Sequence, residues 1–372
     1  MAHYFEHINI LMLPTDACNM SCVYCFHKPY TKQFDKIQLS TVKQLLDITT
    51  PHYKHVNLIW HGGEPLLMGL DFYKEVLQLQ QNYKCTITNA IQSNLTLLTP
   101  QMADFFAQNN ISVSGSFDGV CNEKLRGHSE EIVAGRQLMV DRNQRCGLIM
   151  VVSKANIDFL IESYEFFKEM GVNFSLNLYI DQKENAKDSL QLEETVAISR
   201  LNTLFDYWAE DRQGTIHISY FRNILEYIIC QEKSLCAYTS CLGRWIGVHY
   251  DGTIGPCNRY FPTEYCYGNV HDYSDIGEAF ESNGFVNLLK KAIERREKCK
   301  QCEIFDFCCG GCNNTALNEN GLENNGGLSC KILLGVYRHI SEYISELQKI
   351  APNDRQCNPM LENLLQAGNK YD

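Results

Sequence analysis

CNMSCVYC, at residues 18–25, places three cysteines at the spacing C-x3-C-x2-C. The stretch follows a short apolar run at 8–13 and precedes a lysine-containing loop. A structural zinc site or a closed iron–sulfur cluster takes four protein ligands. Three thiols therefore predict a metal centre in which one coordination position is left for another molecule.

The composition narrows the class of protein. The chain has 372 residues, 45% of them hydrophobic, and a formal net charge of −11. Two domains are expected at this length, although a single barrel with an appendage also fits. The acidic balance argues against sequence-independent binding of nucleic acid, which uses Lys and Arg at phosphates. No apolar stretch of about 18 residues and no basic leader of a secretion signal is present, so we expect a cytoplasmic protein that binds neither nucleic acid nor membranes.

The cysteines are numerous and clustered. In a small secreted domain the 18 cysteines would indicate disulfides. In a chain without a signal peptide they indicate metal binding or catalysis. Three lie at 18–25 and eleven between 230 and 330, so two sets are expected.

The first half of the chain alternates between two patterns. The β-rich runs are 8–13, 56–60, 86–92, 111–117, 147–152 and 173–180. The helix-like stretches between them are 41–50, 71–83, 100–109, 130–145 and 157–170. Such alternation predicts parallel βα units, either doubly wound or curled into a barrel. In both cases the chemistry lies at the carboxyl ends of the strands.

Five of these predicted strands end in unusual residues. The endings are CNMSCVYC, WHGGEP (60–65), QSN (92–94), SFDG (116–119) and YID (179–181). One GG or SN alone would be ordinary turn chemistry. Five such endings on one edge of a sheet favour a functional site there.

The second half is less regular. Helices are predicted at 193–212, 220–232 and 331–350, with a loop-rich, cysteine-dense segment at 236–330 and a polar, loosely held tail from Ala351. We therefore expect three parts. They are a core domain with linking helices at 1–233, a cysteine-rich domain with its closing helix at 234–350, and a polar tail at 351–372.

The second set of cysteines has its own pattern. Cys241, Gly252 and Cys257 form C-x10-G-x4-C, and C-x2-C-x5-C-x3-C spans 299–312, with Cys330 after a further x17. A zinc ribbon is the alternative interpretation. It is not favoured, because the segment has no second C-x2-C pair at the separation of a zinc ribbon, whereas it shows the full order of seven cysteines.

These motifs resemble a known family. CNMSCVYC resembles the signature loop of the radical S-adenosylmethionine superfamily, and GGEP at 62–65 resembles its second motif. The cysteines from Cys236 onward resemble the SPASM extension of peptide- and protein-modifying members. The resemblance covers essentially the whole chain and, in length and spacing, is closest to the anaerobic sulfatase maturases. It implies a partial (β/α)6 TIM-type barrel and a loop-rich C-terminal SPASM domain that holds two auxiliary iron–sulfur clusters.

The resemblance also implies the cofactors, three [4Fe–4S] clusters and S-adenosyl-L-methionine. Cys18, Cys22 and Cys25 would bind three irons of the first cluster, and the amino and carboxylate groups of S-adenosylmethionine would chelate the fourth. In the family, reduction then yields a 5′-deoxyadenosyl radical that abstracts a hydrogen atom from the substrate. The first auxiliary cluster would take Cys236, Cys241, Cys257 and Cys312, and the second Cys299, Cys302, Cys308 and Cys330. Because Cys236 is one residue closer to Cys241 than in the maturases, Cys230 is an alternative ligand.

Several residues match family positions around the cofactor. Tyr24 matches an aromatic residue near the adenine, and Ile180 matches an apolar residue that packs on it. Gly62 and Gly63 would let the backbone approach the methionyl moiety, which a Cβ would block. Glu64 is placed to accept a hydrogen bond from the ammonium group.

Ser116 and Arg126 match positions that contact polar groups of the cofactor, and Ser93 and Asn94 are further candidates of the same kind. Taken singly, such residues more often cap turns, form ion pairs or pack in cores. They are candidates because their segments share an edge with the three cysteines. His61 is interpreted as a turn or core histidine.

One position departs from the sulfatase maturases. There an aspartate that acts as a base follows the cysteine of the G-x4-C motif, but here the residue is Asn258. An amide does not take up a proton at neutral pH. We therefore expect a maturase that forms a thioether, ether or carbon–carbon cross-link in a ribosomally made peptide. Formylglycine formation, peptide epimerisation and a non-enzymatic electron carrier or zinc scaffold are the alternatives.

The expected partners are a precursor peptide and a flavodoxin- or ferredoxin-type reductant. Because 17 residues precede Cys18, leader recognition is expected to use the barrel rim, the SPASM domain or a separate protein. The sequence identifies neither the peptide nor a catalytic base or hydrogen donor.

Overall fold

A computed structural model describes residues 6–25, 35–180, 190–259, 261–352 and 355–368. The chain divides into two compact units. The first consists of Met1–Ser116, Arg126–Cys146 and Ser240–Ile293, and the second of Phe117–Leu125, Gly147–Thr239 and Glu294–Asp372. Asp181, in the predicted ending YID, lies outside the described residues.

The described residues form a mixed α/β structure. The strands are β1 (His7–Leu13), β2 (His55–Trp60), β3 (Thr86–Ser93), β4 (Ser112–Ser116), β5 (Leu148–Val152), β6 (Phe174–Leu178), β7 (Trp245–His249), β8 (Thr253–Gly255) and β9 (Gly268–Asn269). The helices are α1 (Leu39–Thr49), α2 (Leu70–Gln80), α3 (Pro100–Gln108), α4 (Asn122–Leu125), α5 (Ser129–Val140), α6 (Leu160–Glu169), α7 (Glu194–Glu210), α8 (Ser219–Cys230), α9 (Ile276–Glu281), α10 (Asn283–Cys299), α11 (Phe305–Cys308), α12 (Asn313–Glu319), α13 (Leu328–Gln348) and α14 (Pro359–Gly368).

The sheet of the first unit has the order β4-β3-β2-β1-β7-β8-β9. Strands β1 to β4 are parallel neighbours, and β7 runs parallel to β1 on its other side. Strands β8 and β9 continue the sheet in antiparallel pairing. Because parallel strands end at one edge, the segments that follow β1, β2 and β3 meet there, as the sequence predicts.

Alternate residues of β1 explain how this sheet is packed. Ile8, Ile10 and Met12 are completely buried, whereas Asn9 and Leu11 on the other face are half-buried. This alternation is typical of a strand with one face in the core. On the more open face, the Asn57 side-chain amide donates to Asn9 Oδ1 at 3.1 Å. The face away from the core therefore carries polar side chains.

The second unit contains a parallel pair of strands and most of the long helices. Strands β5 and β6 pair from Leu148 opposite Phe174. Helix α13 packs against α7, and α14 packs against α8. None of the helices in the described part of the chain is long and apolar enough to cross a membrane.

Six strands and most helices lie within a few residues of the predicted ranges, and two segments contain a helix that the sequence did not predict. Helix α10 lies inside the segment 236–330 that was expected to be loop-rich. Leu288 and Ala292, four residues apart, are buried along one side of it. The tail from Ala351 is also not loosely held throughout, because α14 buries Leu361 and Leu365.

Helix α14 provides a test of the packed tail. Leu361→Ala should destabilise the protein by about 2–5 kcal/mol, because it leaves a cavity at a fully buried position. Asn363→Ala, at an exposed position of the same helix, should change the unfolding free energy by less than about 0.5 kcal/mol. Urea unfolding followed by circular dichroism measures both, and equal stability of the two variants would contradict the packing of α14.

A candidate iron–sulfur and cofactor site

The three-cysteine loop begins shortly after β1. Cys18 and Cys22 are half-buried and Cys25 is exposed. The Cys25 N–H donates to Cys22 O at 3.1 Å, which closes a turn between these two cysteines. The Cys18 sulfur accepts from Met20 N–H at 3.4 Å and from Asn94 Nδ2 at 3.8 Å. Hydrogen bonds to sulfur are a feature of iron–sulfur ligands, and they tune the cluster.

Burial raises the pKa of the Cys18 thiol. A thiol binds a metal as its thiolate, so cluster binding must displace that proton. The three thiols of the loop and the N–H donors on Cys18 fit an iron–sulfur cluster.

The end of β2 holds this loop through its backbone. Gly63 N–H donates to Thr15 O at 2.9 Å, and Glu64 N–H donates to Ala17 O at 2.8 Å. A Cβ on Gly63 would lie 2.1 Å from Ala17 O, and Gly62 adopts φ +98°. The chain itself therefore requires both glycines, whereas their contact with the methionyl group stays a prediction.

Glu64 ties the end of β2 to the end of β3. The residue is 1% exposed. Oε1 accepts from Leu66 N–H at 2.9 Å and from Ser93 Oγ at 2.7 Å. Oε2 accepts from Asn94 N–H at 2.8 Å. A carboxylate oxygen has two lone pairs, so Oε2 keeps capacity for a further donor such as the predicted ammonium group.

Opposing influences act on the Glu64 charge. Burial raises the pKa of Glu64, and its hydrogen bonds from Asn94, Leu66 and Ser93 and the positive charge of Arg126 lower it. The hydrogen bonds favour the ionised form, because they are donated to the carboxylate.

Tyr24 and Arg126 come together. Arg126 Nη1 donates to Tyr24 Oη at 2.5 Å, and the guanidinium carbon lies 5.8 Å from the ring centroid. The Arg126 charge also lowers the pKa of Glu64, so three of the candidate residues, Tyr24, Glu64 and Arg126, interact with one another.

Ser116 belongs to a small polar network. Its Oγ accepts from Gln92 Nε2 at 3.0 Å, and Ser114 Oγ donates to Gln92 Oε1 at 2.6 Å. Ser116 therefore keeps its own O–H to donate elsewhere. Ile180 lies in the second unit, two residues after β6, and is half-buried.

The sequence interpretation missed Gln92, Asn19 and Thr96 as site residues. Asn94 Nδ2 donates to Asn19 Oδ1 at 2.9 Å, and Asn19 Nδ2 donates to Thr96 Oγ1 at 2.8 Å. Asn19 lies inside the quoted motif, and Gln92 in the strand ending QSN. Nothing in their spacing indicates these partners.

Loss of hydration lowers the pKa of His61 to about 4, so it is neutral at pH 7.

Two cysteines of the second set, Cys241 and Cys257, act on Tyr267 in the first unit. This residue is 1% exposed, and its hydroxyl has no hydrogen-bond partner among the described residues. Burial raises the pKa of Tyr267 well above its usual value, and the nearby Cys241 and Cys257 thiols add to the rise. Arg259 N–H donates to the Cys257 sulfur at 3.4 Å. A buried donor without a partner beside two thiols fits a missing acceptor such as cluster sulfur.

Four other cysteines meet in the second unit. Burial raises the pKa of Cys308 to about 12, and the thiols of Cys330, Cys299 and Cys302 lie close enough to add to the rise. Separately, burial raises the pKa of Tyr238, and the thiols of Cys308, Cys312 and Cys236 add to the rise. Burial raises the pKa of Cys230, the alternative ligand, and the charges of Glu232 and Glu226 add to the rise. In the described ranges no group of three or more His, Cys, Asp or Glu is arranged to hold a single metal ion.

Comparison with protein families identifies the class. Residues 12–188 match the radical SAM superfamily, and residues 236–303 match SPASM, an iron–sulfur cluster-binding domain. The protein is thus a radical S-adenosylmethionine enzyme that carries a SPASM domain, and its metal cofactors are [4Fe–4S] clusters. It is homologous to anaerobic sulfatase-maturating enzymes.

The relatives agree with this assignment. A cysteine-type anaerobic sulfatase-maturating enzyme of Clostridium perfringens is 28% identical over 333 residues, which cover 82% of this chain and 88% of the relative. The structure of anSMEcpe with bound AdoMet and Kp18Cys peptide has a TM-score of 0.81 at 23% identity, over 92% of this chain and 99% of that one.

Streptococcus suis SuiB bound to precursor peptide SuiA has a TM-score of 0.64 at 15% identity, over 87% and 75% of the two chains. At these identities both structures show a shared fold. The predicted fold class is confirmed.

Mutation of Glu64 tests the hydrogen bonds that its carboxylate accepts. Glu64→Gln replaces one carboxylate oxygen with an amide N–H₂ that faces at least one of the three donors, so we expect a loss of about 1–3 kcal/mol in the free energy of unfolding. Glu75→Gln, on the exposed face of α2, is the matched control. Urea unfolding measures both, and an unchanged stability of the Glu64 variant would contradict the network.

Tyr267 offers a test that removes one oxygen atom. If its hydroxyl donates to a cluster, Tyr267→Phe should lower the reduction potential of one auxiliary cluster, because hydrogen bonds stabilise the more negative reduced form. Tyr83→Phe, which removes a hydroxyl bonded to Asp47, is the control. Redox titration followed by EPR should show one shifted signal in the first variant alone, and identical potentials in both would refute the contact.

Proposed function

We propose that the protein modifies a ribosomally made peptide by forming a cross-link between side chains, as a thioether, ether or carbon–carbon bond. The observation that carries this choice over aldehyde formation is Asn258, which follows Cys257 where the sulfatase maturases have a basic aspartate. An amide supplies no base for deprotonating a Ser or Cys substrate. Auxiliary clusters would accept the electron that leaves the product radical.

The peptide nature of the substrate has separate support. Two structures of the same fold contain peptides, Kp18Cys in anSMEcpe and SuiA in SuiB. In this protein the face of the sheet away from the core carries Asn9, Asn57 and Thr88, which are joined by side-chain hydrogen bonds. Polar groups on an accessible face suit a substrate with many backbone donors and acceptors.

The proposed site has three parts. Cys18, Cys22 and Cys25 would bind the core cluster. When bound, S-adenosylmethionine supplies a 5′-deoxyadenosyl radical for hydrogen abstraction. Its binding residues would be Tyr24, Gly62, Gly63, Glu64, Ser93, Asn94, Ser116, Arg126 and Ile180.

The chain's own side chains give these roles a physical basis. The hydrogen bond that Arg126 donates fixes the Tyr24 hydroxyl. Because Ser116 Oγ accepts a hydrogen bond from Gln92, its own O–H remains available to donate to the cofactor. The Glu64 carboxylate holds the ends of β2 and β3 together beside the three-cysteine loop. These residues would bind and orient the cofactor and perform no proton transfer of their own.

The second auxiliary cluster would use Cys299, Cys302, Cys308 and Cys330, and the effect of the other three thiols on the pKa of Cys308 supports this set. The first would keep the ligand set that the resemblance implies, and the effect of both Cys236 and Cys312 on the pKa of Tyr238 supports Cys236 over Cys230. We retain the division into a core domain at 1–233, a SPASM domain at 234–350 and a tail at 351–372 as a proposal. A flavodoxin- or ferredoxin-type reductant and a separate leader-recognition protein are proposed partners.

Formylglycine formation is the second candidate function. Identity of 28% with a cysteine-type sulfatase-maturating enzyme favours it. It would require a base other than residue 258.

Mass spectrometry separates these functions. Reconstituted protein is incubated with S-adenosylmethionine, a reductant and the short peptide encoded beside its gene, or with a sulfatase peptide. A cross-link removes two hydrogens, gives no reaction with a hydrazide and suppresses fragmentation between the linked residues. Hydrazide labelling of a sulfatase peptide would instead establish the aldehyde, and an unchanged mass with an inverted residue would establish epimerisation.

The core cluster is tested by Cys22→Ala. This variant should release no 5′-deoxyadenosine, because it lacks one of three thiolate ligands, while roughly eight irons remain bound. Cys85→Ala, a half-buried cysteine outside both sets, should keep full activity. Deoxyadenosine release by the Cys22 variant would refute the assignment of the core cluster.

A further inference from the structure

Formation of a cross-link requires a group that accepts a proton. The substrate loses a hydrogen atom from carbon to the 5′-deoxyadenosyl radical and an electron to an auxiliary cluster. The second linked atom also loses the proton that it carried as S–H, O–H or C–H. A positioned side chain accelerates such a proton transfer by about 10²–10⁴-fold. A base is therefore expected beside the peptide.

Three residues that follow the sheet strands are unsuited to this role. Asn258 is an amide, which takes up no proton at neutral pH. His61 is a weak base with a pKa of about 4, and its Nδ1 already accepts from Gly62 N–H at 2.8 Å. Glu64 accepts three hydrogen bonds and is proposed to bind the ammonium group of the cofactor. The acceptor must therefore be another residue at this edge of the sheet.

His249 is the last residue of β7 and lies at this edge. Strand β7 pairs with β1 so that His249 is opposite Leu13, five residues before Cys18. Ile246 and Val248 are completely buried, whereas His249 is half-buried. Successive side chains of a strand point to opposite faces. The imidazole therefore lies on the face of the sheet away from the core, which is the face proposed for the peptide.

The His249 imidazole lies beside the peptide bond that leads to Asn258. A Cβ built on Gly255 would lie 3.9 Å from His249 Nε2 and 3.7 Å from Cys257 O. Gly247 is directly opposite Gly255 in the neighbouring strand. A Cβ built on Gly247 would lie 2.3 Å from Cys257 O and 3.3 Å from Asn258 N. The imidazole and the Cys257–Asn258 peptide bond therefore lie over the same pair of glycines.

We propose that His249 is a catalytic residue that accepts the proton released when the cross-link forms, and that it supplies the base that Asn258 lacks. The proposal rests on the proposed function. For a thioether or ether, the S–H or O–H proton passes to the imidazole, sulfur or oxygen forms the bond to the carbon radical, and the surplus electron leaves to an auxiliary cluster. Imidazole takes up and releases protons near neutral pH. Among the described residues no hydrogen bond occupies the His249 ring nitrogens.

The first test compares variants of His249 with a control. His249→Gln removes the base and keeps a polar side chain, and His249→Glu supplies a carboxylate instead. His249→Gln combined with Asn258→Asp supplies a carboxylate at the neighbouring position. His7→Gln is the control, because His7 is exposed at the opposite end of the sheet. Each reconstituted protein is incubated with S-adenosylmethionine, a reductant and the short peptide encoded beside its gene, and iron, product and 5′-deoxyadenosine are measured.

His249→Gln should form cross-linked peptide about 100-fold more slowly or less. It should still release 5′-deoxyadenosine, because hydrogen abstraction does not use the imidazole. His249→Glu, or the added Asn258→Asp, should recover product, and His7→Gln should match the wild type. Unchanged product in the Gln variant, parallel loss of product and 5′-deoxyadenosine, or a loss that neither carboxylate restores overturns the proposal.

A second measurement requires no turnover. Diethyl pyrocarbonate acylates accessible neutral imidazoles, and mass spectrometry locates each label. In reconstituted protein without reductant, the peptide should protect His249 from labelling and leave the labelling of His7 unchanged. This result decides the case in which His249→Gln fails to take up its iron. A His249 that is not labelled, or whose labelling the peptide does not reduce, overturns the proposal.

Failure of the proposed function has a different signature. A hydrazide-reactive product of the wild type would overturn the cross-link alone, because aldehyde formation from Ser or Cys also releases a proton. An inverted residue without a change of mass would overturn both proposals, because no proton is then lost from the peptide. With a cross-linked product from the wild type, a negative result in the variants concerns His249 alone.

Discussion

A cluster of four irons held by three thiolates leaves one iron whose remaining ligand must come from outside the protein. In the proposed site the three thiols come from one short loop, and backbone hydrogen bonds fasten this loop to the end of β2. Gly63 and Glu64 supply the two N–H donors, and the absent Cβ of Gly63 permits the approach. The radical chemistry proposed for this chain depends on that close contact.

The buried Glu64 carboxylate extends the same arrangement to the next strand. Three hydrogen bonds offset the cost of burying its charge, and two of them come from residues that follow β3 or end it. Asn94 then connects this network to the sulfur of Cys18. Thiol ligands and the predicted cofactor contacts thus share one rigid support, so a change at Glu64 should affect both. Preorganisation of this kind holds reactive groups within the tolerance that radical transfer requires.

The sequence predicted the parts of the molecule that follow periodic or motif rules. Strands β1 to β6 have clear β-rich runs, and three cysteines at a fixed spacing can be interpreted without a structure. Helix α10 was missed although Leu288 and Ala292 follow helical spacing, because the density of cysteines suggested loops. Partners such as Gln92 for Ser116 could not be predicted, because tertiary packing selects them. For the same reason, the role of Tyr267 has no signature in one sequence.

The central claim concerns the iron that lacks a thiolate, and spectroscopy of the reduced protein addresses it most directly. EPR and electron–nuclear double resonance are recorded with and without S-adenosylmethionine labelled with ¹⁵N in its amino group. The account predicts a changed signal from one of the clusters and a coupling between its iron and the labelled nitrogen. Spectra that are identical with and without the cofactor, with every iron already carrying a protein ligand, would contradict it.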